Sequence, residues 1–400
     1  MNSTGAKPSS AASFWTLAAM LAFFLFAASA PSPLYVTYAA MWGFSSVTIT
    51  SIYAVYAGGA LLALLATGRL SDHLGRRPVV AVALVIQIAG MAAFILAQGV
   101  GMLYLGRLLQ GVGTGIASAA ISAWMLDHQP PENPRLGGLV GGIAPLVGLG
   151  AGALGSGLLA QYGPAPLRLV FWLLTGVYLL GLAAAFVIPD LVVRAPGWLA
   201  SMRPRVGVPA AARPQFVASA PSLIAIWALG GLYLSLGPAL AISLLGTDSR
   251  LSGALVIVAL AGSGAVASAW VRAADPILLV IRGSAVVVVG VGVTLAALAM
   301  DSAAGLYAGS VLAGLGFGPA FSGVVRSLAP MAPPEKRNAL FAAIYVATYL
   351  SFSAPAILAG VAASRFGLRN TTYVYGLVVM ALAAMTTVAV SRRRAQTAPV

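Results

Sequence analysis

Long apolar runs alternate with short polar intervals along all 400 residues of this chain. An α-helix needs roughly twenty apolar residues to cross the hydrocarbon layer of a bilayer. Runs of that length predict helices α1–α6 near 14–37, 47–69, 78–98, 101–125, 136–161 and 168–188. Six more, α7–α12, are predicted near 217–242, 251–271, 276–299, 303–328, 338–362 and 371–391. The interval 189–216 stands apart. Its Pro189, Pro196, Pro204, Pro209 and Pro214, with Arg194, Arg203, Arg205 and Arg213, make a poor membrane span. The expected organisation is an all-α integral membrane protein with 12 transmembrane helices in two six-helix bundles, 14–188 and 217–391. A cytoplasmic arm (1–13), a cytoplasmic linker (189–216) and a cytoplasmic tail (392–400) complete it. Two readings of the linker stay open: Trp198 and Leu199 rest at lipid headgroups with the arginines toward anionic lipid, or the segment is a free tether.

The second half repeats the first at an offset of 203 residues. Tyr104-Leu-Gly106-Arg107-Leu-Leu-Gln110-Gly111-Val-Gly113-Thr-Gly115 lies over Tyr307-Ala-Gly309-Ser310-Val-Leu-Ala313-Gly314-Leu-Gly316-Phe-Gly318. The same offset sets Pro130-Pro131-Glu132 on Pro333-Pro334-Glu335, Arg69 and Asp72 on Arg272 and Asp275, and Gly43 on Gly246. Duplicated bundles inside a membrane are the plan of a molecule that rocks one half against the other around a central site.

Composition sharpens the class. Hydrophobic residues make up 60% of the chain and charged residues 8%, where a soluble domain carries about a quarter charged residues. Mean hydropathy is +0.96, the net charge +14 and the pI near 10.6. The basic residues lie between apolar segments rather than in a patch, so nucleic acid is not an expected partner. With the N-terminus in the cytoplasm, sixteen Lys and Arg fall on inner segments; only Arg168, Arg250, Arg365 and Arg369 fall outside, with Arg107 and Arg282 within helices. That asymmetry predicts cytoplasmic termini in an inner cell membrane. Absent cysteine excludes disulfides, thiol catalysis and cysteine-bound metal. Ala28-Ser29-Ala30 resembles a signal-peptide cleavage site, but its segment pairs with 216–240 at the repeat offset, so it is read as a retained helix.

The α5 segment carries nine glycines around Pro145, among them Gly141 and Gly148. Small residues let helix backbones approach in lipid and an interior proline permits a bend, so α5 is read as a close-packed gate helix.

Between α2 and α3 the chain reads Gly68-Arg69-Leu70-Ser71-Asp72-His73-Leu74-Gly75-Arg76-Arg77-Pro78. This resembles the G-x-L-a-D-r-x-G-r-[RK] signature of the major facilitator superfamily, with His73 where a basic residue is usual. Leu103-x-x-x-Arg107-x-x-Gln110-Gly111-x-Gly113 resembles the second signature of that superfamily's 12-helix drug:proton antiporters. Gly141-Gly142-Ile-Ala144-Pro145-Leu-Val-Gly148-Leu-Gly150 is similar to their helix 5 motif, with Ala144 and Leu149 replacing two glycines. The resemblance implies the superfamily's fold, alternating access, and a substrate path lined by α1, α4, α7 and α10. Gly68, Asp72, Gly75, Arg76 and Arg77 are then a conformational latch, the carboxylate held against a guanidinium at the membrane edge. A static loop staple is the other reading. In the second copy Leu278, Leu279 and Val280 replace the Gly-Arg-Arg positions, so the latch should be asymmetric.

Arg107 is costly inside an apolar segment, about 2.5–3.5 kcal/mol at a helix centre on insertion scales. Either it snorkels to the nearer interface or it heads the polar stripe Arg107, Gln110, Thr114, Ser118 and Ser122, spaced at helical steps. The equivalent α10 positions are Ser310, Ala313, Phe317 and Phe321. The cavity should therefore have one polar and one aromatic wall, with Tyr35, Tyr38, Trp227 and Tyr233 as candidate contacts, and Tyr53, Tyr56, Tyr345 and Tyr349 as further ones.

All eight carboxylates fall in loops or at helix ends. A cationic substrate would meet Arg107 without a counter-charge, so neutral or anionic amphipathic substrates are expected. Asp72, Asp127 and Arg107 are the candidates for proton coupling, with the proton gradient as energy source and no cofactor. The expected activity is secondary active export of small amphipathic compounds by a monomer; import of a sugar or organic acid is the alternative. Only His73 and His128 are present, without metal-ligand spacing, and no Gly-x-x-x-x-Gly-Lys run occurs, which disfavours an enzyme or an ATP-driven pump.

Overall fold

A computed structural model of the chain describes residues 11–133, 135–246 and 249–397. Most of the N-terminal arm with Lys7, Asp248 and the last tail residues lie outside these. Among the described residues, twelve helices are long and apolar enough to span a membrane. The first six, α1–α6, are Ala11–Trp42, Ser46–Thr67, Arg76–Ile95, Val100–Asp127, Leu136–Tyr162 and Leu169–Val187. The second six, α7–α12, are Ala210–Ser235, Arg250–Trp270, Pro276–Ala299, Ala303–Met331, Pro334–Phe366 and Leu368–Gln396. Among the described residues there are no strands.

α1 is interrupted where its sequence demands it. Regular helix runs Ala11–Ser29, a 3-10 turn covers Ser32–Leu34, and helix resumes at Tyr35–Trp42. Pro31 and Pro33 stand four residues beyond Ala27 and Ser29, so those carbonyls lose their usual N–H donors. α7 breaks similarly: helix stops at Ser235 and resumes as Gly237–Leu245, with Pro238 in the first turn of the new piece.

The glycines of α5 divide between two faces. A Cβ at Gly148 or Gly152 would overlap the carbonyl oxygen of Ala22 or Phe26, so this face seats α1 backbone to backbone. Gly150 and Gly157 face the other bundle: their Cβ positions approach Gly262 and Ala254 of α8. Pro145 sits inside a continuous α5.

The bundles meet along two seams, α5 with α8 and α2 with α11. On the second, Gly360 packs against Ser46 and Thr50, and the Tyr53 and Phe352 ring centroids are 6.4 Å apart. These contacts run from mid-membrane to the arginine-poor end. At the arginine-rich end, the apolar cluster of the second bundle (Val280, Val324, Leu328, Leu340 and neighbours) has no member from the first. Among the described residues the halves are thus joined toward the arginine-poor end and share no apolar cluster at the other.

The linker is docked at both ends. The Trp124 indole N–H donates to the Pro189 carbonyl at 2.9 Å, and Ala195 N to His73 O at 3.2 Å. Gly207 N reaches Ala339 O at 3.2 Å, at the start of α11. Between them Trp198–Ser201 forms one helical turn, with Leu199 exposed. The free-tether reading is replaced by a strap held by both bundles.

Candidate functional site

The centre of the first bundle is built around α1's break. Arg107 is 0% exposed. Its Nη1 donates to Ala28 O at 2.7 Å and to Gln110 Oε1 at 3.0 Å, and its Nε to the Tyr35 hydroxyl at 2.7 Å. Gln110 Nε2 donates to Ala27 O at 2.9 Å, the carbonyl that Pro31 leaves without a helical donor. The guanidinium lies 4.4 Å from the Tyr53 ring centroid and 5.4 Å from those of Tyr35 and Tyr56, a cation–π cage that offsets burial of the charge. Snorkelling is excluded by this geometry. Tyr53 in turn is hydrogen-bonded to Ser32 in the 3-10 turn. The upper part of the α4 stripe is therefore occupied with α1, whereas Ser118 and Ser122 farther along are only half-buried. Thr114 lies buried between them.

Across the interface, Trp227 of α7 packs edge-on against Phe317 and Phe321 of α10, with centroid separations of 5.7 and 5.3 Å. Trp227 borders the apolar clusters of both bundles, so it sits where the halves meet. Among the described residues its buried indole nitrogen has no hydrogen-bond partner. The α4 stripe and this aromatic group put polar and aromatic side chains on opposite bundles. Tyr233 is placed elsewhere. Its hydroxyl meets Ser310 Oγ at 3.1 Å and Thr294 Oγ1 at 3.4 Å, inside the second bundle among Leu229, Leu295 and Leu306. Its expected place on the central cavity is corrected accordingly: six residues beyond Trp227, it faces into its own bundle rather than the interface.

The α2–α3 motif forms a knot at the arginine-rich face. Arg76 bonds the Asp72 carboxylate, Ser71 Oγ at 2.8 Å and, from Nε, Asp127 Oδ2 of α4 at 3.1 Å. Arg77 donates from its backbone N to Asp190 Oδ2 at 3.0 Å and from Nη2 to Ile188 O at 2.9 Å. Gly75 has φ +97°, and a Cβ there would lie 2.6 Å from Asp190 Oδ2, so only glycine fits. Gly68 closes α2, its N–H on Leu64 O at 2.9 Å. The knot joins α2, α3, α4 and the exit of α6, all in the first bundle; among the described residues none of these bonds crosses to the second. In the second copy, Asp275 Oδ1 instead caps α9, accepting from Ile277 N at 2.7 Å and Leu278 N at 3.1 Å. The two copies differ, as their sequences require.

Along the α5 seam, Gly141 meets only the Met125 methyl, and Gly148 fixes α5 to α1. Sequence reasoning missed Arg250, Thr37, Ser32 and Phe352, which join elements across the molecule. Arg250 carried one signal: it is among the few arginines on the arginine-poor side.

Residues 15–354 match the profile of the Major Facilitator Superfamily, and the chain belongs to that family. Its twelve apolar helices, among the described residues, make it a multi-pass membrane protein of that family. Its fold matches a bacterial homolog of the human lysosomal transporter Spinster in an inward-facing, occupied conformation, with TM-score 0.77, 13% identity, and 97% and 98% of the two chains covered. Among curated proteins it is similar to Sugar transporter ERD6-like 6 of Arabidopsis thaliana, 30% identical over 36% of this chain and 28% of that one. Multidrug resistance protein MdtL of Klebsiella pneumoniae is 28% identical over 37% of this chain and 38% of its own. The class H tetracycline resistance protein of Pasteurella multocida is 35% identical over 26% of this chain and 28% of its own. The matches thus span well under half of each relative.

Proposed function

We propose that this transporter exports small neutral or anionic amphipathic compounds by proton antiport and alternating access, as a monomer in the inner cell membrane with both termini cytoplasmic. The arginine-rich face then meets the cytoplasm, and that end is the mouth through which substrate is taken. One observation carries the substrate class: the cation Arg107, bonded to neutral groups, stands behind the polar wall opposite Trp227, Phe317 and Phe321. A buried cation bonded only to neutral groups favours anions or neutral dipoles over cations. Aromatic faces supply apolar contact without directional demand, which suits amphipathic molecules of varied shape. The multidrug and tetracycline resistance relatives support export. The sugar transporter relative supports the second reading, import of a sugar or organic acid.

Proton coupling rests on Asp72, Asp127 or Arg107. The two aspartates share Arg76, so protonating either weakens the knot. Everted and right-side-out vesicles under an imposed proton gradient decide direction. Export predicts gradient-dependent accumulation of an anionic amphipathic dye in everted vesicles only, abolished by a protonophore. Accumulation in right-side-out vesicles instead, or of a cationic dye alone, would overturn the reading.

A further inference from the structure

Three hydrogen bonds join the two bundles directly among the described residues, and all three start from Arg250 at the head of α8. Its backbone N donates to Gln161 Oε1 at 3.1 Å, its Nε to Thr37 Oγ1 at 3.0 Å and its Nη1 to Ala160 O at 2.7 Å. One residue of the second bundle thereby holds both α1 and α5 of the first. The Ala160 carbonyl needs that donor, because the residue four places ahead is Pro164, which has no N–H. It also lies in the last turn of α5, where the helix dipole favours a cation. Elsewhere on this closed seam, among the described residues, Gly157 lies on Ala254, Gly360 on Ser46 and Thr50, and the Tyr53 ring near that of Phe352, contacts made without directional bonds.

We propose that Arg250 is the clasp of the closed face: a positioning residue that sets the balance between the conformation described and the opposite one, in which that face opens. The inference rests on the alternating-access reading. All three acceptors are neutral, so the clasp holds by geometry rather than by ion pairing and can part without stranding a buried carboxylate. A lysine cannot reproduce it, since one ammonium does not span the two directions that the guanidinium serves.

The cysteine-free chain makes single-thiol labelling clean. Thr50→Cys places a thiol at a site 0% exposed on the α2–α11 seam, away from Arg250. Gly142→Cys places one at an exposed site on the arginine-rich half of α5, with nothing within 4 Å. In the parent, a membrane-impermeant maleimide should label the second quickly in everted vesicles and the first slowly in right-side-out vesicles, each site being probed from the face it opens to. Arg250→Ala should raise labelling at Thr50→Cys about tenfold and lower it at Gly142→Cys, and Arg250→Lys should fall between, which keeps the comparison valid should the alanine variant fold poorly. Labelling that rises at both positions signals loosening of the fold and overturns the clasp. Unchanged rates at both, while an imposed proton gradient still shifts them in opposite senses, overturn it too. If the gradient also shifts neither, the alternating-access reading falls, and the clasp with it.

Discussion

At the scale of single residues, two backbone carbonyls left without an N–H by a proline four places on, Ala27 and Ala160, are each served by a side chain from a distant helix. Gln110 serves Ala27 and Arg250 serves Ala160, while Arg107 donates to Ala28 beside the same break. In lipid such a carbonyl has no water to turn to, so the donated bond is worth more than at a wet surface. Gln110→Leu should therefore destabilise the protein by about 1–3 kcal/mol, the cost of an orphaned buried acceptor, with near-normal membrane insertion. Arg107→Ala, which strands Ala28 O and the Tyr35 hydroxyl together, should cost roughly twice that. Thermal unfolding in detergent measures both; an unchanged midpoint in either variant would show that the carbonyl does without its partner. The sequence made Arg107 and Gln110 conspicuous, because polar residues at helical spacing stand out in an apolar segment. It did not reveal what they hold, since Ala27 and Ala28 are about eighty residues away and only Pro31, four places after Ala27, marks the break.

At the scale of helices, spacing and composition located all twelve spans, because the bilayer imposes a length and leaves little room for other solutions. Ends differed by a few residues where polar turns extend a helix beyond the hydrocarbon, as in α11, which starts at Pro334 rather than near 338. What periodicity could not show was the division of α5's glycines between α1 and α8, because glycine has no side chain to mark a face. The division is testable. Gly152→Ala should impair folding, since its Cβ would overlap the Phe26 carbonyl, whereas Gly138→Ala, with nothing within 4 Å, should be nearly neutral. Comparable yields and melting midpoints for the two variants would contradict the packing described. The repeat itself sets Ser118 in one copy at the helix position of Phe321 in the other, so a polar and an aromatic side chain stand on opposite bundles. Tyr233 was misplaced for the same reason that made it attractive: an aromatic on α7 gives no sign of which way it turns.

At the scale of the whole molecule, the charged knot belongs to one bundle in this conformation, so its effect on rocking must come through the shape of that bundle's arginine-rich face. Asp72 is half-exposed, and such pairs contribute about 0.2–1 kcal/mol. Asp72→Asn should accordingly slow transport by no more than about fivefold and leave insertion intact, measured as initial rates in vesicles at matched protein. A complete loss would assign Asp72 a role in moving protons rather than in holding the knot. The docked strap has a wider consequence. Between its anchors at Ala195 and Gly207 lie twelve residue steps, which fully extended reach about 40 Å. A segment with that reach permits many relative placements of the bundles, so their mutual fit rather than the covalent join should set how they align. A gene cut between Leu199 and Met202 and expressed as two separate polypeptides should then still assemble, as an ancestral pair of six-helix proteins would have done before fusion.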